Sequence, residues 1–117
     1  MYVDGFVFVV SKKKMPAYLR LARTACKVWM EHGALEYKEC VGDHLNLRCG
    51  RPFPHLMKLK RGETACFSWV AYKSRKHRDQ VNRKVMKDKR IASLGAADMP
   101  FDMKRMSYGG FNAVVEG

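Results

Sequence analysis

Five polar residues interrupt stretches that are otherwise apolar: Asp4, Glu39, Tyr72, Arg105 and Tyr108. A carboxylate enclosed by aromatic side chains loses hydration, so its pKa rises and it can act as a general acid or base near neutral pH. Asp4 paired with Arg105 would serve this best, with Tyr108 as a third candidate catalytic residue. Trp69, Tyr72 and Glu39 would line the accompanying pocket. The plainer alternative is that Asp4 and Arg105 form a structural ion pair, or that Asp4 satisfies backbone groups, while Trp69 and Phe67 fill the core. The chain has no nucleophile–base motif, no phosphate-binding glycine loop and no HExxH, so no cofactor is expected.

Cys40, His44, Cys49 and His55 form a C-x3-H-x4-C-x5-H series of zinc-competent side chains. The spacings match no zinc module, and Cys40 falls in a stretch of strand character, so no metal is expected. Cys26 and Cys66 lie in apolar stretches and read as core residues. With no C-x-x-C pair, the four cysteines read as reduced thiols of a cytoplasmic protein.

Charge is the strongest compositional signal. The 117 residues carry 23 Lys+Arg against 11 Asp+Glu, for a net charge of +12. Nine of the 18 residues from Lys73 to Arg90 are basic and two are acidic, and Lys76, Arg83 and Lys87 share one helical face. Such a patch could hold nucleic-acid phosphates, although a solvated helix face would look the same. The RNP1 pattern of RNA-binding sheets is absent from Thr64 to Tyr72. Lys12, Lys13 and Lys14 precede a helix start, where cations oppose the helix dipole but could hold an anion beside free N–H groups.

The elements that must position these residues follow from periodicity. Tyr2 to Val10 is rich in β-branched and aromatic residues and apolar on both faces, which predicts a strand covered on both sides. From about Lys14 to His32, Tyr18, Ala22, Ala25 and Trp29 recur at helical spacing, with Pro16 in the first turn and Gly33 at the end. Ala34 to Gly42 predicts a strand and Asp43 to Pro54 a loop, while Phe53 to Leu59 reads as either a short helix or extended chain. Thr64 to Tyr72 is a second strand with little polarity on either face. Ser74 can cap a helix reaching about Lys87. A loop carrying Met99 to Asp102 leads to a last strand at about Lys104 to Val115, where Gly109 and Gly110 suggest a bulge or a close backbone approach.

The order β-α-β-β-α-β is the ferredoxin-like, split-βαβ arrangement: one α+β domain with an antiparallel sheet spanning residues 1–117. Two helices cover one face of such a sheet. Since the first and third strands are apolar on both faces, the second face calls for a second copy, giving a homodimer with two sheets packed face to face. No apolar run approaches the roughly 20 residues of a bilayer span, so no membrane partner is expected. Phe6 to Val10 is too short for a signal peptide, and its lysines follow it instead of preceding it.

Residue blocks support a resemblance from end to end. Tyr2-Val3-Asp4-Gly5-Phe6, Gly33-Ala34-Leu35, Glu39-Cys40, Phe67-Ser68-Trp69 and Arg78-Asp79 appear in order. Met99-Pro100-Phe101-Asp102, Lys104-Arg105-Met106 and Tyr108-Gly109-Gly110-Phe111 follow. Together they resemble the YbaA-like family of uncharacterised bacterial proteins, within the dimeric α+β barrel superfamily. The chain departs from that family's pattern at Val41, Lys89 and Met103, and it is more basic. The resemblance implies the ferredoxin-like protomer and paired sheets but no activity. The functional expectation is a small-molecule-binding or weakly enzymatic dimeric barrel. The alternative is a basic accessory module that contacts nucleic acid through Lys73 to Arg90.

Overall fold

The computed structural model describes all residues from Met1 to Gly117. Strand β1 (Tyr2–Ser11) leads through a 3-10 turn at Lys12–Lys14 into helix α1 (Met15–Glu31). Strand β2 (Glu36–Val41), the short helix α2 (Phe53–Leu56) and strand β3 (Glu63–Tyr72) follow. Helices α3 (Arg75–Lys87) and α4 (Lys89–Ala92) precede strand β4 (Ser107–Asn112). The sheet order is β2-β3-β1-β4, with every neighbouring pair antiparallel. This is the ferredoxin-like arrangement that the element order predicted. No helix is long and apolar enough to cross a membrane.

The punctuation follows local chemistry. Ser74 accepts the His77 N–H at 3.1 Å and starts α3, and Gly33 ends α1 with φ 112°. The last strand is shorter than predicted because Asp102 accepts the Lys104 N–H at 3.0 Å and winds Met103–Arg105 into a 3-10 turn. Arg105 therefore lies outside the strand. Pairing of β1 with β4 runs unbroken through Gly109 and Gly110, so the glycines mark a close approach, not a bulge.

Alternation sorts the strands into two faces. Tyr2, Asp4, Phe6, Phe8 and Val10 of β1 join Cys66, Ser68, Val70 and Tyr72 of β3 beneath the helices. There Tyr18, Ala22 and Val28 of α1 and Val81 and Val85 of α3 complete the core. The opposite face carries Val3, Gly5, Val7 and Val9 of β1, with Ala65, Phe67, Trp69 and Ala71 of β3. Phe111 of β4 pairs with Val3 on that face. The molecule measures 38 × 36 × 20 Å, and its shortest dimension holds one sheet and one helix layer.

The second face therefore has no helix layer. The β2–β3 connection covers one end of it, where Met57, Leu45 and Leu59 pack on Val9 and Ala65. Elsewhere Phe67 is 46% and Phe111 61% exposed, with Val3, Val7 and Trp69 half-buried.

Candidate functional site

Beneath the helices, Asp4 is buried but does not meet Arg105. Its partner is Arg78 of α3, whose Nη1 lies 3.8 Å from Asp4 Oδ1. Arg78 Nη2 donates to Tyr2 Oη at 3.1 Å, and the guanidinium sits 5.1 Å over the Tyr2 ring. Burial pushes the Asp4 carboxyl up, against the pull of Arg78. Beside this pair, Trp29 Nε1 donates to Tyr72 Oη at 3.1 Å and to Asn82 Oδ1 at 3.2 Å. Tyr72 Oη also donates to Asn82 Oδ1 at 3.3 Å. Asp4 and Tyr72 thus come near one another, as elements of a tied network.

Glu39 forms a second cluster. Ser68 faces it across the strand pair, and its carboxylate accepts hydrogen bonds from Tyr18 and, at 2.8 Å, from Tyr37. No cation lies within ion-pairing distance, and burial raises its pKa. Cys66 is pushed up to about 11 by burial and by Glu39, which leaves a thiol, not a thiolate nucleophile.

The predicted pocket does not assemble. Arg105 lies at the other end of β1, near Glu63, which pairs with Ser11, whereas Asp4 is level with Val70. Trp69 points to the uncovered face, opposite Asp4, Glu39, Tyr72 and Tyr108, because it occupies the alternate register of β3. Tyr108 is 71% exposed on the edge strand and stacks on Phe6 at 5.6 Å. Cys40, His44, Cys49 and His55 are all exposed, and no three His, Cys, Asp or Glu side chains gather as a metal site. All four cysteines are unpaired.

Two cavities open elsewhere. One of about 100 Å³ lies at the β2 end of the sheet, lined by apolar groups including Leu45, Phe53 and Phe67. The other, about 500 Å³, opens on the uncovered face between the β2–β3 connection and the turn before β4. Val7, Leu56 and Met57 supply its apolar floor, and Lys58, Lys60, Lys104 and Arg105 its rim. Arg105 is committed there. Its Nη1 donates to Glu63 at 2.8 Å, and its Nη2 to the Met57 and Lys58 carbonyls at 3.0 and 2.9 Å. That clamp ties both walls of the cleft together, and it holds the Glu63 carboxyl down at about 2. Lys58, Lys60 and Lys104 have no acidic partner.

Of the basic residues singled out by sequence, Lys12, Lys13 and Lys14 form the exposed turn ahead of α1, where Ser11 Oγ takes the Lys14 N–H at 3.3 Å. Lys76, Arg83 and Lys87 are exposed along the outer side of α3. Sequence reading missed Arg78, Tyr2 and Asn82 around Asp4. Tyr2 and Asp4 at i and i+2 were the available signal, since they must share a strand face.

Sheet order and the helix layer on one face define a ferredoxin-like α+β domain. The chain belongs to the family described as "Protein of unknown function (DUF1428)", whose profile matches residues 1–103. It is 39% identical over 115 residues to "Uncharacterized protein YbaA" of Escherichia coli (strain K12), covering 98% of this chain and 97% of that protein. The protein of the same description from Shigella flexneri matches equally. Two solved structures share the fold. An uncharacterized NIPSNAP domain protein from Burkholderia xenovorans aligns with TM-score 0.57 and 11% identity, covering 97% of this chain and 95% of that one. Protein Atu4242 from Agrobacterium tumefaciens aligns with TM-score 0.58 and 13% identity, covering 96% and 92%.

Proposed function

We propose that this protein is a homodimeric barrel that binds a small anionic molecule with an apolar body. The observation that carries the reading is the cleft at the end of the uncovered sheet face. An apolar floor of Val7, Leu56 and Met57 meets three lysines without acidic partners, in a volume typical of small-molecule sites. The floor would hold hydrocarbon, and Lys58, Lys60 and Lys104 would hold a carboxylate or phosphate. Pairing supplies the roof. Strands of 10, 6, 10 and 6 residues at about 3.4 Å per residue, spaced about 4.8 Å apart, present a projected face of roughly 500 Å². Side-chain relief and the flanking β2–β3 connection add to that, toward the roughly 800 Å² per partner of a standard stable interface. A second sheet laid on Phe67, Trp69 and Phe111 would remove their exposed area from water and close the cleft from above.

Light scattering of the purified protein is expected to give twice 13.5 kDa, and Phe67→Asp is expected to give the single-chain mass with unchanged far-ultraviolet circular dichroism. Native mass spectrometry is then expected to detect a copurifying anion that Lys58→Glu/Lys104→Glu loses. A wild-type monomer, or a dimer in which that double variant binds the same molecules equally, rejects the reading.

A further inference from the structure

On the opposite side of the molecule, the helix layer turns a second surface to solvent. Arg20, Arg23 and Lys27 lie at i, i+3 and i+7 of α1, and Lys76, Arg83 and Lys87 at i, i+7 and i+11 of α3; all six are exposed. The two helices share one core, through Val28 of α1 and Val81 and Val85 of α3, so the two stripes run on one layer. None of the six cations pairs with an acid. The acids of the layer are instead consumed by other partners. Arg78 takes Asp79, Arg90 takes both Glu31 and Asp88, and His32 also lies 2.9 Å from Asp88. Negative charge on these two helices is thus already neutralised, leaving two cationic stripes.

We infer that this face is a docking surface for duplex nucleic acid, gripped through its phosphates without reading sequence. At about 1.5 Å per residue the stripes from Arg20 to Lys27 and from Lys76 to Lys87 are about 10 and 16 Å long, with helix axes roughly 10 Å apart. A regularly charged polyanion fits two rows of this length, whereas a single small anion would engage one or two residues. The large apolar residues exposed on α1 and α3 are Met30 and Met86, with no aromatic among them. Single-stranded partners are held by aromatic stacking, which this face cannot provide. A helix that lies on a membrane directs its apolar side outward into lipid, whereas here those sides face the sheet.

The test is fluorescence anisotropy of a labelled random-sequence DNA or RNA duplex titrated with the full-length protein. Six phosphate contacts give a log–log salt slope of about −5, so affinity is expected to fall about 10³-fold between about 50 and 200 mM salt. Arg23→Glu/Lys27→Glu and Arg83→Glu/Lys87→Glu are each expected to weaken binding more than tenfold and to flatten the slope by about 2. Arg48→Glu/Arg51→Glu, in the exposed β2–β3 connection, changes net charge equally and is expected to leave affinity within about threefold. Equal losses in all three variants would show an effect of net charge alone and overturn the inference. Tighter binding to the single strand than to the duplex, or binding to vesicles containing phosphatidylserine without duplex binding, would also overturn it. The surface lies across the sheet from the lysine cleft, so failure of either assay leaves the other reading standing.

Discussion

Gly110→Ala tests the polar network beneath the helices at its tightest point. A Cβ at Gly110 would lie 2.0 Å from Tyr2 Oη, 2.7 Å from Cζ and 2.8 Å from Cε1. The positive-φ glycines are Gly33, Gly50 and Gly62, so alanine at 110 meets no backbone strain. Absent the collision, such a change would stabilise by about 0.4–1 kcal/mol. Tyr2 is buried between the sheet and α3 and cannot give way freely. Moving it breaks the 3.1 Å hydrogen bond from Arg78 and withdraws the ring from under the guanidinium.

Overpacking costs about 1–3 kcal/mol and the hydrogen bond to a charged donor about 1.5–3; with partial relaxation a net loss of about 3 kcal/mol is expected. For a chain of this size that is a fall in Tm of about 10 °C. Urea denaturation at one fixed protein concentration measures it. In a Tyr2→Ala background the methyl has room, and Gly110→Ala is expected to be neutral or to stabilise by up to about 1 kcal/mol, a coupling of about 3–4 kcal/mol. A single variant as stable as wild type, or the same loss in both backgrounds, would refute the argument.

Two further predictions concern pH. Burial raises the Glu39 pKa above its ordinary 4.5, so the folded chain keeps a proton that the unfolded chain releases. That contribution is complete below about pH 4.5 and is lost as pH rises through the raised value, so the urea midpoint of wild type should drop against that of Glu39→Gln over this window; parallel curves would contradict it. Glu63 behaves oppositely. Arg105 holds its carboxyl at about 2, so its contribution is present above pH 4.5 and lost as pH falls toward 2. Arg105→Gln should flatten that acid limb and speed proteolysis near Lys58 and Lys60, because the carbonyls of Met57 and Lys58 lose their donor; unchanged cleavage would count against the clamp.

Architecture was legible because it depends on period. The double apolarity of β1 and β3, the Tyr18–Ala22 stripe, the Ser74 cap and the Gly33 stop are local signals, and all four appear in the structure. Pairing of side chains was not legible, because it depends on register. Trp69 and Tyr72 are three positions apart in one strand, so they must face opposite ways. Grouping both in one pocket ignored that alternation. The Asp4–Arg105 pairing failed for a different reason. Opposite charge suggested attraction, but Asp102 winds Arg105 into a turn at the far end of the sheet, where Glu63 holds it. The cleft lysines belong to the β2–β3 connection and to the turn before β4, segments with no periodicity to read, and Lys58 adopts φ 50°.

Charge segregation lets the two proposed surfaces coexist. A chain of +12 gains nothing by pairing with itself if its cations meet at the seam. Along the central strands the uncovered face carries one charge, Glu63, which Arg105 neutralises; the rest is Val3, Gly5, Val7 and Val9 in β1, and Ala65, Phe67, Trp69 and Ala71 in β3, with the cleft lysines confined to one end. On β2, Lys38 and Glu36 lie 3.8 Å apart, and Lys38 sits 5.5 Å over Trp69. The α1 and α3 stripes lie behind the sheet, so face-to-face pairing would set the two protomers' stripes roughly 30 Å apart. At physiological salt that is several screening lengths of about 8 Å, and their repulsion would be largely lost. Pairing through the helix layers would instead press twelve uncompensated cations together. The proposed pairing would thus leave the helix face, which repels a second copy, turned outward and open to a polyanion.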